Sequence, residues 1–184
     1  MNPTVFREYD IRGLAEKDFD EDFARLLGQV HGTIVSDRGG KRVAVGRDCR
    51  FTSDAYAEAV IGGLLSAGLQ VYDIGVCPTP LLYFALFHLD LDGGVMITAS
   101  HNPSEYNGFK VCAGKETIYG TQIQELRIRM EKEDFKERRG GRQEIYPIVP
   151  PYQEHLLRDV PQLPRPLKVV VDAGSGVAGP VAPP

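Results

Sequence analysis

The chain has 184 residues, 42% of them hydrophobic and 25% charged, with a formal net charge of -4. Those proportions exclude a disordered or fibrous chain and leave room for one full domain and part of another. The acidic balance argues against nucleic acid as a partner, because phosphate-backbone binding needs a basic surface, whereas a small phosphorylated ligand needs only a local basic cluster.

The opening Met-Asn-Pro-Thr-Val-Phe-Arg-Glu-Tyr-Asp lacks the apolar core of a signal peptide, and no later run approaches membrane-spanning length, so a soluble cytoplasmic protein without a membrane partner is expected. Asp20 can cap a helix whose apolar face reads Phe23, Leu26, Leu27, Val30 and Ile34. Val43-Ala44-Val45 reads as a strand. Thr52 or Ser53 then caps a helix carrying Val60, Ile61, Leu64 and Leu65, which stops at Gly68. Residues 69–74 form the next strand, Pro80 opens a helix through about Leu89, and Gly94-Val95-Met96-Ile97 is a short β-branched run of buried-strand type. After it comes Phe109-Lys110-Val111-Cys112, one more strand, and a helix capped by Thr121 and running through Lys132. This alternation is a doubly wound α/β layer with right-handed crossovers.

Residues 131–142 are dense in mixed charge and read as a solvated helix end and loop. Pro147, Pro150 and Pro151, then Pro161, Pro164 and Pro166, punctuate the next stretch of chain, so a domain boundary is expected near residue 146, giving units 1–145 and 146–184. Beyond it, Val169-Val170-Val171-Asp172 reads as a buried strand, followed by Gly174-Ser175-Gly176-Val177-Ala178-Gly179. The second run matches a dinucleotide fingerprint, but the acidic residue that such a site needs some twenty positions on does not fall within the chain. A structural strand-to-helix turn is the preferred reading. Because its apolar run 167–171 is left without a sheet, the tail from about residue 146 onward is expected to pack on the first domain or to pair with a second copy.

The central segment is Thr98-Ala99-Ser100-His101-Asn102-Pro103, which puts a serine hydroxyl where a sheet gives way to a loop. In open α/β sheets that carboxyl edge is where ligands bind, although Ser, Asn and Pro also end strands simply as turn formers. A Ser100–His101 hydrolase couple is disfavoured. Neighbours in an extended segment point in opposite directions, and Thr98 and Asn102 stand where a Gly-x-Ser-x-Gly elbow needs glycines. Arg7, Arg12, Arg47, Arg50 and Lys110 can supply a basic cluster if the fold gathers them, while each alone also reads as a solvated surface residue. Cys49, Cys77 and Cys112 are odd in number and not closely paired, which argues against a disulfide framework or a zinc site, and they read as packing residues.

Thr98 to Pro103 resembles the phosphoserine loop of the α-D-phosphohexomutases, and other marks of that family occur in order along the chain. Phe6-Arg7-Glu8-Tyr9-Asp10-Ile11-Arg12-Gly13 is similar to its amino-terminal active-site strand and loop, and Gly46-Arg47-Asp48-Cys49-Arg50 with Thr52-Ser53 to its Gly-Arg-Asp-x-Arg segment. Cys77-Pro78-Thr79-Pro80 resembles its Pro-Thr-Pro helix start, and Asn107-Gly108-Phe109-Lys110 its lysine strand. The bacterial phosphomannomutase/phosphoglucomutase branch is the nearest in pattern.

The resemblance implies a three-layer α/β/α domain with a mixed, mostly parallel sheet, plus the start of a second similar domain. It further implies a mutase that interconverts hexose 1-phosphates and 6-phosphates of mannose or glucose through a phosphoserine and a bisphosphorylated sugar. Ser100 would carry the phosphoryl group, Lys110 would act as general base, Arg12 and His101 would stabilise transferring charge, and Tyr9, Arg12 and Asn102 would touch the substrate. Magnesium would take one ligand from the Ser100 phosphate and the rest from an Asp-Gly-Asp-x-Asp-Arg loop that this sequence does not contain. The chain is accordingly expected to be an amino-terminal fragment, inactive alone and able to self-associate through its tail, of a monomeric full-length enzyme. A phosphoglucosamine mutase, or a non-catalytic α/β module that binds phosphate or a protein, are the alternatives.

Overall fold

The computed structural model describes residues 1–160, 165 and 167–182; Pro161, Pro164 and Pro166, three of the prolines that punctuate the expected domain boundary, lie outside the described residues. A short 3-10 turn, Pro3–Val5, leads into β1 (Ile11–Leu14), α1 (Glu21–Asp37), β2 (Arg42–Arg47), α2 (Ser53–Ser66), β3 (Gln70–Val76) and α3 (Thr79–His88). Next come β4 (Gly93–Ile97), β5 (Tyr106–Ala113), β6 (Glu116–Thr117), α4 (Thr121–Glu131), β7 (Arg142–Ile145) and α5 (Val149–Asp159).

The strands form one sheet in the order β1-β5-β4-β2-β3-β7, with β6 pairing β5 off this path. β4, β2, β3 and β7 run parallel, and β5 is antiparallel to both β4 and β1. One face packs against α1, α2 and α4 through Phe23, Leu27, Tyr56, Leu64, Phe109 and Leu126; the other packs against α3 and the start of α5 through Leu82, Leu86, Met96 and Ile148. The result is a three-layer α/β/α body with a mixed sheet.

The helices begin where local chemistry allows. Asp20 accepts the Phe23 N–H at 2.9 Å, and Glu21 and Asp22 sit in the first turn of α1, where the helix dipole favours negative charge. α1 and α2 approach closely because glycines face one another: a Cβ on Gly28 would lie 2.3 Å from the Val60 carbonyl oxygen, and one on Gly63 2.2 Å from that of Arg25. Gly68, at φ 82, ends α2 in the left-handed region.

The structure corrects several expectations from the sequence. Neither Thr52 nor Ser53 caps α2 through its side chain, because the Ser53 hydroxyl donates to Asp48 instead. Thr121 is the first residue of α4, and the cap position belongs to Gly120 at φ 52. Residues 167–172 form no strand and are not buried: Val170 is 96% exposed, with no described strand beside it to complete a ladder. The run 174–179 is a series of turns, with Gly176 N–H donating to Ala173 O at 2.8 Å, and among the described residues neither a strand precedes it nor a helix comes after it. Part of the tail does pack on the body, since the Cys49 Sγ donates to the Ser175 carbonyl at 3.8 Å. Cys77 and Cys112 are buried as expected, and burial pushes the Cys77 thiol up to about 12, but Cys49 is exposed.

One buried group makes the fold sensitive to acid. His31 on α1 is 1% exposed and its Nε2 has no partner among the described residues. Burial, aided by the nearby positive Arg38, pushes its pKa from 6.5 down to about 4. An unfolded histidine therefore takes up a proton below pH 6.5 that the folded one refuses until about pH 4. The stability due to neutral His31 is complete above that window and falls as pH drops through it, by at most about 1.4 kcal/mol per pH unit. Denaturant melts of wild type and His31→Gln across the window check this: the wild-type curve should fall more steeply with acid, and parallel curves would contradict it.

Candidate active site

At one sheet edge the segments that come after β2, β3 and β4 converge. They wall a cleft of 760 Å³ lined by Asp48, Arg50, Phe51, Thr79, Ser100 and His101 among others, with residues 174–177 on its far side. This is the carboxyl edge of the parallel strands, where backbone ends and helix starts meet and ligands of open α/β sheets bind.

Ser100 is exposed and has φ 57, a left-handed conformation that a residue with a Cβ adopts only when its surroundings hold it. Its N–H donates to Thr98 Oγ1 at 2.9 Å, and the Asn102 side-chain amide donates to the Ala99 carbonyl at 2.9 Å. Because the chain turns left-handed at Ser100, its Oγ lies 3.3 Å from His101 Nδ1, which corrects the expectation that neighbours here point apart. His101 is exposed and has no third group orienting it among the described residues, so the pair lacks the anchoring that a Ser-His nucleophile requires.

Arg50 lies under the loop. Its Nη1 donates to the carbonyls of Pro103 (2.6 Å) and Tyr106 (3.0 Å), and its Nη2 to those of Ser100 (3.1 Å) and Asn102 (2.6 Å). Its Nε pairs with Asp48 at 3.1 Å. Asp48 also accepts the Arg50 N–H and the Ser53 hydroxyl, at 3.0 and 2.6 Å. Asn107, fully buried at the start of β5, donates to Thr52 Oγ1 and Ser53 Oγ at 2.9 and 3.0 Å. The loop after β2 and the loop after β4 are thus tied into one unit.

A second cluster stands on β1 and β5. Arg12 pairs across strands with Gly108, and Lys110 pairs with Met96, a residue of the cleft wall. Directly paired side chains share a face, so Lys110 stands next to a residue of the cleft wall, although neither it nor Arg12 is among the residues that line the cleft. Asp10 Oδ2 holds both cations, Arg12 through Nη2 and Lys110 through Nζ at 3.1 Å. Arg12 Nε is buried and has no acceptor among the described residues, a donor left open in a largely enclosed side chain.

The five basic residues named from the sequence do not form one cluster. Arg47 turns away to Asp54 and to Asp73, the latter at 2.8 Å. Arg50 is internal to the loop. Arg7 is exposed, and Tyr9 is 67% exposed and outside the cleft lining. Sequence reasoning assigns no role to Asp10, Asp48 or Asn107. Asp10 and Asp48 sit inside motifs that the sequence makes visible, yet acidic residues among basic ones give no sign of which cation each will hold. No helix of the described residues is long and apolar enough to cross a membrane.

Comparison with known proteins bears on this site. Residues 3–137 match the family model described as phosphoglucomutase/phosphomannomutase, alpha/beta/alpha domain I. The chain is 42% identical over 180 residues to a phosphomannomutase/phosphoglucomutase of Pseudomonas aeruginosa, covering 98% of this chain and 38% of that protein. It is 40% identical over 183 residues to a phosphomannomutase of Vibrio cholerae, covering 96% of this chain and 39% of the other. A crystal structure of a phosphoglucomutase/phosphomannomutase family protein from Burkholderia thailandensis superposes with a TM-score of 0.91 at 41% identity, over 98% of this chain and 41% of that one. The chain spans well under half the length of these relatives.

Proposed function

The chain belongs to the phosphoglucomutase/phosphomannomutase family, and on that premise we propose that it is the amino-terminal, phosphoryl-carrying part of a cytoplasmic enzyme that interconverts hexose 1-phosphates and 6-phosphates. The observation that carries this reading is Ser100, held left-handed and exposed on the wall of the cleft by a loop tied at both ends. The boundary near residue 146 is proposed on the end of β7 at Ile145, the last strand of the sheet.

In the proposed reaction the phosphoryl group on Ser100 Oγ passes to the free hydroxyl of a hexose phosphate. The Ser–O–P bond breaks, the sugar O–P bond forms, and the serine oxygen recovers a proton as the sugar hydroxyl loses one. The bisphosphorylated sugar then turns over and returns its other phosphoryl group to Ser100. Each half is a displacement between oxygens of similar basicity, so neither direction is strongly uphill. Lys110 is proposed as the group that takes the sugar hydroxyl proton, on the support of its place beside the cleft wall. Arg12 would stabilise the transferring charge from its place beside Lys110 on Asp10. His101 would stabilise charge at Ser100 from 3.3 Å, and Asn102 and Tyr9 would approach the substrate from the loop and from solvent.

Magnesium is the expected counter-ion of the transferring phosphoryl group, neutralising its charge when bound. Among the described residues no three His, Cys, Asp or Glu side chains converge, and Asp48, the carboxylate in the cleft lining, is taken up by Arg50 and Ser53. The residues present do not form a magnesium site by themselves. The Ser100 phosphate is the single ligand this chain is proposed to offer, and no step is derived through the ion.

Assay of the full-length enzyme with glucose 1-phosphate, mannose 1-phosphate and glucosamine 6-phosphate tests the reading. Turnover of the first two is expected. Preference for glucosamine 6-phosphate would make it a phosphoglucosamine mutase, and no turnover of any would leave a binding module. The isolated chain should show no turnover above a Ser100→Ala control.

A further inference from the structure

Arg50 looks at first like one more anion ligand of the cleft, a cation beside a serine that is to carry a phosphate. Its hydrogen bonds say otherwise. A guanidinium has five N–H donors, one on Nε and two on each terminal nitrogen. All five are occupied within the chain: one by Asp48, two by the carbonyls of Pro103 and Tyr106, and two by those of Ser100 and Asn102. Its side chain is only 13% exposed, and Asp48 lies against it as counter-charge. No donor is left to offer a phosphate without breaking the loop.

We propose that Arg50 is a positioning residue, not an anion ligand: its planar fork gathers four carbonyls of the serine loop and thereby fixes Ser100 in its left-handed conformation. The inference rests on the reading of Ser100 as the phosphoryl carrier only for its effect on turnover. The clamp itself is a statement about the loop. Because the Ser100 carbonyl is one of the four acceptors, the clamp acts on the serine's own ψ and sets where Oγ points. A lysine at this position supplies the same charge but only three donors on one tetrahedral nitrogen, which cannot span acceptors arrayed around a planar fork. Charge and geometry are therefore separable by substitution. An anion ligand would be largely rescued by lysine, whereas a clamp would fail as badly with lysine as with alanine.

The test uses Arg50→Lys and Arg50→Ala in two measurements. The first is amide hydrogen exchange, comparing the loop 99–106 with the core strands β2 and β4. Loop exchange should rise by at least about tenfold in both variants while the core keeps its protection. Unchanged loop exchange in either would overturn the clamp. If both variants lose core protection as well, Asp48→Asn, which keeps the guanidinium but loosens its Nε, is read by the same criterion. The second measurement is the rate at which Ser100 gains a phosphoryl group from glucose 1,6-bisphosphate in the full-length enzyme, followed by intact mass at varied donor concentration. The maximal rate should fall equally in the lysine and alanine variants with little change in half-saturating concentration. Rescue by lysine, or a change confined to half-saturation, would make Arg50 an anion ligand and overturn the proposal. Should wild type gain no phosphoryl group, the mutase reading fails while hydrogen exchange still decides the clamp.

Discussion

Ser100→Ala in the full-length enzyme should lose at least about 10⁴-fold in turnover, because the side chain that carries the phosphoryl group is gone and no neighbour replaces it. His101→Ala should retain far more, losing about 10²- to 10³-fold, the range for removing one group that stabilises charge. The two residues meet at 3.3 Å, so the contrast is informative: a histidine that served as the serine's base would be as indispensable as the serine. Initial rates for wild type and both variants, at saturating hexose phosphate, check the pair. Equal and total loss would instead favour a Ser-His couple.

The second large effect concerns stability. Phe109→Ala should cost about 3–5 kcal/mol, measured by denaturant melts of the chain. Phe109 is fully buried on β5, and its ring centroid lies 5.4 Å from that of Phe19 and 5.9 Å from those of Phe23 and Tyr56. These rings join the start of α1, the first turns of α2 and β5 of the sheet, so truncation leaves a cavity that rigid helices and strands cannot collapse. A cost below about 1 kcal/mol would mean that the cluster can repack and is not what fixes β5. The residues on either side of Phe109 face the other way, and Lys110 is one of them. Loosening this ring cluster is therefore expected to disturb the proposed proton acceptor as well.

How far the sequence foretold the molecule depends on what a pattern can carry. The cap at Asp20, the apolar face of α1, and the serine at the end of β4 were legible because each is written in local chemistry: an oxygen before a helical period, or a β-branched run ending in Asn-Pro. β7 was not, since Arg-Gln-Glu-Ile on an exposed edge has no alternation to betray it. α5 was hidden by Pro150 and Pro151, which read as punctuation although proline suits the first turn of a helix. The opposite holds for Val169-Val170-Val171: its composition is that of a buried strand, but burial needs a neighbouring strand, and among the described residues none pairs with it.

The site divides along the same line. Motifs brought Ser100, Arg12 and Lys110 forward, and the fold sets all three along one stretch of the sheet. They could not say that Arg47 would be held by Asp54 and Asp73, or that Arg50 would give every donor to Asp48 and to carbonyls of the serine loop. Most of these partners lie 26 to 56 residues away in sequence, and a single chain read alone does not show such contacts. Nor could it foresee the Ser100–His101 contact, which arises from one left-handed residue.

The central claim is that Ser100 Oγ carries the phosphoryl group. Incubating the full-length enzyme with radiolabelled glucose 1,6-bisphosphate, quenching, and mapping the label by peptide mass spectrometry measures it directly. The account predicts one label, on the peptide containing Ser100, that is removed on adding unlabelled glucose 1-phosphate and absent from Ser100→Ala. Label on any other side chain, or turnover without label on Ser100, would contradict it.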